Sequence, residues 1–287
     1  MYTFNIDKII KEALKEDITN QDVTTNCLVP DDHISEAKII FREDATVSGL
    51  DFAKRVFELI DPTLKFKPLH KDGDAVKANE PIASLKGKTS TILKGERTAL
   101  NFLAYLSGIS TKTAHFVKAI KGTNAQILDT RKTTPGLRHF EKYAVRTGGG
   151  INHRFNLSEM VLIKDNHREI CHPSMTTDQV VLAIKKRTKK IIAVEVDTLI
   201  QFKNALKAAP DIILLDNMTL EQMKKAVKTN DDFYRKKLIH KKPLLEASGG
   251  ITLKNVKAIA KIGIDRISLG CLTHTHRAID VSMEIIN

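Results

Sequence analysis

Beyond residue 122 one pattern repeats, and it limits the possible folds more than any other feature of the chain. Short apolar runs recur: AQILDT, MVLIKDN, IIAVEVD, DIILLDN, PLLEASGG and RISLGCL. Most are separated by stretches of helical spacing, such as TTDQVVLAIKKRT, TLIQFKNALKAA, TLEQMKKAVKTN and TLKNVKAIAKIG. Runs rich in Ile, Leu and Val suit strands buried on both faces, and such strands alternating with helices make parallel βα units. Six units fit either an open doubly wound sheet or a barrel. Periodicity alone does not separate the two.

The first part of the chain reads differently. Ile6, Ile9, Ile10, Ala13 and Leu14 have helical spacing, and LDFAKRVFELI is an amphipathic helix closed by Asp61-Pro62. EAKIIFREDATVSG predicts a pair of strands, and LKFKPLHKDGDAVKANEPIASLKG predicts short antiparallel strands broken at Asp-Gly and Pro. TILKGERTALNFLAYLSGISTKTAHFVKAI predicts a long helix, a break at Gly108 and a second helix. This half is an α+β module.

The ends of the apolar runs carry the chemistry. They finish in Asp129-Thr130-Arg131-Lys132, Lys164-Asp165-Asn166, Glu195-Val196-Asp197, Asp216-Asn217, Glu246-Ala247-Ser248-Gly249-Gly250 and Gly270. In α/β barrels the C-terminal strand ends converge on one mouth, and glycines after the last strands bind phosphate through backbone N–H groups. Taken singly, Asp216-Asn217 or Asp197-Thr198 reads equally well as a helix cap. Taken together, the ends supply cations at Arg131, Lys132, Arg154 and Lys164, anions at Glu195 and Asp216, and neutral donors at Ser248, Gly249, Gly250 and Gly270. Such a mouth suits a ligand with several carboxylates or phosphates, because arginine binds either one through two parallel bonds. The two acids suit magnesium held jointly with ligand phosphates, or the stabilisation of a cationic transition state. Gly148-Gly149-Gly150, followed by His153-Arg154, is expected to be a loop that closes over the ligand. His274 and His276 lack the spacing of a metal site.

Composition narrows the partners. Lysine plus arginine is 46 against 34 for aspartate plus glutamate, a net charge of +12. Aromatic residues are only 5% of the chain, with no tryptophan. The basic surface therefore lacks the stacking platforms of a nucleic-acid binder. No apolar run approaches the ~20 residues of a membrane helix. The opening FNIDKIIKEALKED is not a secretory signal, and Cys27, Cys171 and Cys271 are too few and too scattered for a disulfide framework or zinc site. A soluble cytoplasmic protein is expected.

Seven motifs in order carry a resemblance: ERTALNFLAYLSGIST, DTRKTTPGLR, KYAVRTGGGINHRFNLSEMVLIKDNH, VEVDT, ILLDN, EASGGIT and ISLGCLTH. Together they resemble nicotinate-nucleotide pyrophosphorylases (carboxylating), the quinolinate phosphoribosyltransferases, over essentially the whole chain. The resemblance implies a type II phosphoribosyltransferase-like α/β fold: an open α/β sandwich (residues 1–108 and 273–287) and an incomplete seven-stranded α/β barrel (residues 109–272). It implies transfer of ribose 5-phosphate from phosphoribosyl pyrophosphate to quinolinate, with loss of carbon dioxide and release of pyrophosphate. The product is nicotinate mononucleotide, on the de novo route to NAD, and Mg2+ is the cofactor. Arg131, Arg154 and Lys164 would cradle the quinolinate carboxylates, with Thr130, Lys132 and His153 beside them. Arg97 would come from the neighbouring subunit of a homodimer, hexamers being the larger assembly in some members. Glu195 and Asp216 would hold ribose and Mg2+ and, with Lys132, act in catalysis. Ser248, Gly249, Gly250 and the stretch Leu269, Gly270 and Cys271 would bind phosphate. Cys271 stands where a smaller residue is more usual, which bears on packing near the phosphate loop.

Other readings remain open at this stage. A phosphoribosyltransferase for nicotinate would not need a double carboxylate cradle, and a paralogue linked to molybdenum metabolism would share the fold. A phosphosugar sensor would not need both Glu195 and Asp216. An RNA-binding protein would interleave its lysines with aromatics.

Overall fold

The computed structural model describes residues 5–171 and 175–286, whose contacts fall into two compact units. The first comprises Met1–Ala114, Thr134–Gly149 and Thr275–Asn287, and the second His115–Thr133 and Gly150–His274. The chain begins with α1 (Ile6–Asp17), α2 (Val23–Leu28), β1 (Ile34–Phe41), β2 (Ala45–Thr46), α3 (Leu50–Ile60), β3 (Lys65–Pro68), β4 (Ala75–Val76), β5 (Pro81–Lys88) and α4 (Thr89–Ala119). Next come β6 (Gln126–Leu128), α5 (Arg138–Thr147), β7 (Val161–Ile163), α6 (Asp165–Cys171), α7 (Thr177–Lys185), β8 (Ile192–Val196) and α8 (Leu199–Ala208). The last elements are β9 (Ile212–Asp216), α9 (Leu220–Arg235), β10 (Leu244–Ser248), α10 (Val256–Lys261), β11 (Arg266–Ser268), α11 (Cys271–His274) and β12 (Val281–Ile286).

The first unit is built on an antiparallel sheet of order β12-β1-β5-β3. Strand β1 alternates exposed and buried positions over its first six residues. That period of two sends Ala37 and Ile39 inward, where they join Ile10 of α1, Val56 and Phe57 of α3, Leu85 of β5, and Leu100 and Leu103 of α4 in one core. The last segment returns to this unit, with Val281 opposite Phe41 and Ile286 opposite Glu36.

Two glycine expectations fail here for steric reasons. Helix α4 runs unbroken through Gly108, because that glycine serves close packing: a Cβ there would lie 2.1 Å from the Arg277 carbonyl oxygen. The Gly148–Gly150 run is not a closing loop. Gly148 ends α5, and a Cβ on it would lie 2.4 Å from Ser110 O. Gly149, at φ 84°, donates its N–H back to Arg146 O and completes that helix end.

The second unit carries a six-stranded parallel sheet of order β6-β11-β10-β9-β8-β7. This order is chain order written around a circle, with first strand β6 beside last strand β11 and the circle cut between β6 and β7. That arrangement belongs to a barrel, since a doubly wound sheet reverses direction at a switch point. In the gap sits Ile151, which makes a single parallel bridge to Leu128 on the free edge of β6. It donates to Ile127 O at 2.8 Å and accepts from the Asp129 N–H at 3.2 Å. The expected seventh strand is thus one bridge residue, because the polar loop INHRFNLSE offers no further apolar run to pair. The incomplete α/β barrel is the observed architecture.

Candidate active site

Helix capping in this unit frees the acidic strand ends. Thr198 caps α8 by accepting from the Gln201 N–H, and Thr219 with Gln222 forms a reciprocal cap on α9. Glu195 and Asp216, just upstream, therefore cap neither helix. They share with the other strand ends a cavity of about 590 Å3, within the usual range for small-ligand sites. Every site residue expected from the sequence lines this cavity except Arg97, which is exposed on α4 of the first unit. Thr130, Arg131 and Lys132 follow β6, His153 and Arg154 follow the Ile151 bridge, and Lys164 follows β7. Ser248, Gly249 and Gly250 leave β10, and Leu269, Gly270 and Cys271 leave β11.

Three of the four cations have no carboxylate partner among the described residues. Arg154 is only 7% exposed, and its guanidinium donates to the Met160 carbonyl at 3.2 Å. Burial, with the charge of Arg131 beside it, holds its pKa below the ordinary arginine range. Among the described residues neither Arg131, Lys132 nor Arg154 pairs with a carboxylate. Only Lys164 has one, Glu195 Oε2 at 3.1 Å. Two nearby guanidiniums without an intervening acid repel, and an anion bound by both would offset that repulsion.

Behind the cations lies a buried polar layer. Asp129 is fully buried and accepts from the His153 N–H at 2.8 Å and from the Asn152 side chain. His153 Nδ1 accepts from the Arg154 N–H at 2.8 Å. That bond assigns the ring proton to Nε2, which lies 3.2 Å from Glu246 Oε1. The approach is close but poorly aligned, so Oε1 has no well-formed hydrogen bond, while Oε2 accepts from Arg266 Nε at 2.8 Å. Both His153 ring nitrogens thus face protein groups, and the histidine steadies the Arg154 backbone. Burial pushes the Glu246 carboxyl upward, but His153 and Arg266 outweigh it and hold it below its ordinary value of 4.5.

A depressed carboxyl stabilises the fold at pH above its unfolded value, and the contribution is lost as pH falls through the folded value. Glu246→Ala is expected to destabilise the protein by about 3–5 kcal/mol at neutral pH, because it strands Arg266. Urea unfolding at pH 7 and again below pH 4.5 checks this, the gap from the unsubstituted chain narrowing in acid.

The glycines are there for space and backbone shape. Gly249 and Gly250 are left-handed, at φ 88° and 63°, a backbone shape that glycine adopts without strain. A Cβ on Gly270 would lie 3.0 Å from His274 Nε2 and 3.1 Å from Lys132 Cδ, so this glycine lets both side chains approach the β11 turn. Leu269 differs from its neighbours, since its N–H is already bonded to Leu128 O at 2.9 Å. The sequence reading did not select Glu246, Asn217 or His274, all of which line the cavity. Glu246 and Asn217 stand at strand ends and were legible as such; nothing in the local sequence marked His274.

Comparison with known proteins agrees with this geometry. The family model described as the C-terminal domain of quinolinate phosphoribosyl transferase matches residues 109–284, and its N-terminal counterpart matches residues 22–107. The chain belongs to the quinolinate phosphoribosyl transferase family. It is 40% identical over 284 residues to a probable nicotinate-nucleotide pyrophosphorylase (carboxylating) of Methanocaldococcus jannaschii, covering 97% of this chain and 96% of the relative. It is 36% identical over 279 residues to the nicotinate-nucleotide pyrophosphorylase (carboxylating) of Mycobacterium leprae, covering 96% and 95% of the two chains. The solved nicotinate-nucleotide pyrophosphorylase of Francisella tularensis superposes with a TM-score of 0.88 at 38% identity, over 98% of this chain and 96% of that one. The cavity of this family member is thus set in a fold shared with those proteins. Among the described residues no helix is long and apolar enough to cross a membrane.

Proposed function

We propose that this phosphoribosyltransferase joins quinolinate to the ribose 5-phosphate of phosphoribosyl pyrophosphate and decarboxylates the adduct to nicotinate mononucleotide, a step of de novo NAD synthesis. The observation that carries the reading is the set of cations, Arg131, Lys132 and Arg154, left without acidic partners around one cavity. A dicarboxylate is the ligand that such a set, joined by Lys164, would hold from several sides. Thr130 and His153 flank the cradle. Arg97, exposed on its helix, is assigned to the site of a neighbouring subunit in a homodimer, with a hexamer as the larger assembly.

The chemistry needs positioning more than acid–base assistance. The pyridine nitrogen has a free lone pair and attacks the ribose anomeric carbon as the bond to pyrophosphate breaks. Positive charge grows on the sugar, and Glu195 and Asp216, at the ends of neighbouring strands β8 and β9, oppose it. The leaving pyrophosphate takes the bonding electrons toward Lys132, whose stem lies against Gly270, and toward the N–H groups of Gly249, Gly250 and the Gly270-Cys271 turn. Ser248 adds its hydroxyl. The ring nitrogen is then cationic. The adjacent carboxylate leaves as carbon dioxide, its electron pair stays on the ring carbon beside that cation, and solvent supplies the proton. The cradle contributes by holding the carboxylate in a partly dehydrated setting.

Magnesium fits as an ion that arrives with its ligand. Among the described residues no three His, Cys, Asp or Glu side chains gather as a metal site, while Glu195 and Asp216 supply the one or two carboxylates that Mg2+ takes alongside phosphate oxygens. When bound it would neutralise charge on the pyrophosphate. Cys27 is an exposed thiol in no disulfide, which suits the reducing cytoplasm where we place the reaction; the side chain of Cys171 lies outside the described part.

Incubation with Mg2+, phosphoribosyl pyrophosphate and carboxyl-labelled quinolinate is expected to release carbon dioxide and nicotinate mononucleotide in equal amounts. Product from nicotinate but not from quinolinate would sink the assignment.

A further inference from the structure

Asn217 stands between two groups assigned to one ligand. Its φ is 51°, a left-handed conformation that asparagine tolerates better than most residues. Its side-chain Nδ2 donates to Asp216 Oδ2 at 2.9 Å, and its backbone N–H donates to Ser248 O at 2.9 Å. Gly249 makes room for it: a Cβ there would lie 2.0 Å from Asn217 Oδ1 and 3.0 Å from Asn217 N. The asparagine therefore ties the end of β9 to the turn after β10, and all of these residues line the same cavity.

A left-handed turn at a strand end could be satisfied by glycine. Glycine would keep the backbone bond to Ser248 but would lose the amide. The amide has a specific consequence. It fixes one oxygen of the Asp216 carboxylate and so stops that group from rotating freely about its last bond. The other oxygen keeps a set direction relative to the Ser248–Gly250 turn.

We propose that Asn217 is a positioning residue for the phosphosugar substrate, holding the Asp216 carboxylate at a fixed orientation and spacing from the Ser248–Gly250 turn. A ligand carrying sugar hydroxyls and a phosphate on one frame can then engage both at once. The inference rests on the proposed reading in which Asp216 meets the ribose and the turn meets phosphate. It assigns Asn217 no contact with reacting atoms.

The test compares Asn217→Gly, Asn217→Asp, Gly249→Ala and Asp216→Asn with the unsubstituted protein. KM and kcat are measured for each substrate, phosphoribosyl pyrophosphate binding by calorimetry, and stability by urea unfolding. Asn217→Gly, which keeps the left-handed backbone, is expected to weaken phosphoribosyl pyrophosphate about 10-fold, the equivalent of one hydrogen bond to a charged group, with the quinolinate KM unchanged. Asn217→Asp should weaken it further, by setting a second carboxylate beside Asp216. Gly249→Ala should also weaken phosphoribosyl pyrophosphate, by displacing Asn217 Oδ1 and by straining the turn at φ 88°. Asn217→Gly with unaltered phosphoribosyl pyrophosphate binding, beside an impaired Asp216→Asn, would overturn the inference and leave the ribose reading intact. An Asp216→Asn protein that binds phosphoribosyl pyrophosphate normally would overturn that reading and the inference with it. Equal weakening of both substrates together with a lowered urea midpoint would reduce Asn217 to a structural turn residue, which also overturns it.

Discussion

Arg131→Ala is expected to raise the quinolinate KM by about 10- to 100-fold, the loss of one or two charge-assisted hydrogen bonds, while the KM for phosphoribosyl pyrophosphate moves little. Arg131 suits this test because its side chain is exposed at the cavity and bonded to no other described group, so its removal leaves no buried polar atom stranded. Arg154 would make a poorer probe. It is almost fully buried and bonded to the Met160 carbonyl, and truncating it would mix lost packing with lost charge. The two arginines are also coupled. Arg131 contributes to the lowered pKa of Arg154, so its removal also relieves a repulsion between the two guanidiniums. The measured loss is thus smaller than the full value of Arg131 in the filled site. Calorimetric titration with quinolinate, with Arg131→Lys as the partner variant, separates fork geometry from charge. Lysine should restore only part of the affinity, since it cannot make the two parallel bonds. A loss of similar size for both substrates would remove Arg131 from the cradle.

The strands of the second unit could be read from the sequence because burial on both faces leaves little choice of residue. Ile213, Leu214 and Leu215 of β9 are all buried, and the run DIILLDN shows it directly. The barrel itself could not be read, because parallel βα units look alike whichever edges they join. It took the pairing of β6 with β11 to decide. The glycines misled where their reason lay far away in the chain. Gly108 looks like a helix break, yet it is small because the backbone at Arg277 crosses it. The same holds for Gly148 against Ser110.

The site was legible to the extent that it sits on strand ends. Arg131, Lys164, Glu195 and Asp216 each follow or finish an apolar run, and one rule about barrels collects them. His274 belongs to the short helix α11, and it reaches the cavity only because Gly270 lacks a side chain. The double engagement of His153, with Arg154 N–H on one nitrogen and Glu246 near the other, also depends on chain segments far apart in sequence. It gives this residue a second part, support of Arg154, beside its place in the lining of the cavity.

Glu195→Gln is expected to lower kcat by about 100- to 1,000-fold, the usual cost of removing one group aimed at transition-state charge, and to raise the Mg2+ concentration needed for half-maximal rate. Glu195 pairs with Lys164 at 3.1 Å, and Lys164 is the more exposed partner, at 46% against 12%. The pair is open to solvent on the lysine side, where ion pairs are worth up to about 1 kcal/mol, so the lysine can be drawn away by quinolinate at modest cost. On the proposed reading, a quinolinate carboxylate that takes Lys164 would release the Glu195 oxygen from its ion pair toward the sugar. In Glu195→Gln the lysine is no longer held, so quinolinate binding should stay the same or tighten slightly while turnover collapses. That opposite movement distinguishes the role from simple damage, which would weaken both. Lys164→Ala supplies the complementary case: its quinolinate affinity should fall, and its need for Mg2+ should rise much less than in Glu195→Gln. If the two variants shifted the Mg2+ requirement equally, Glu195 would have no special share in holding the ion, and its part would shrink to that of a partner for Lys164.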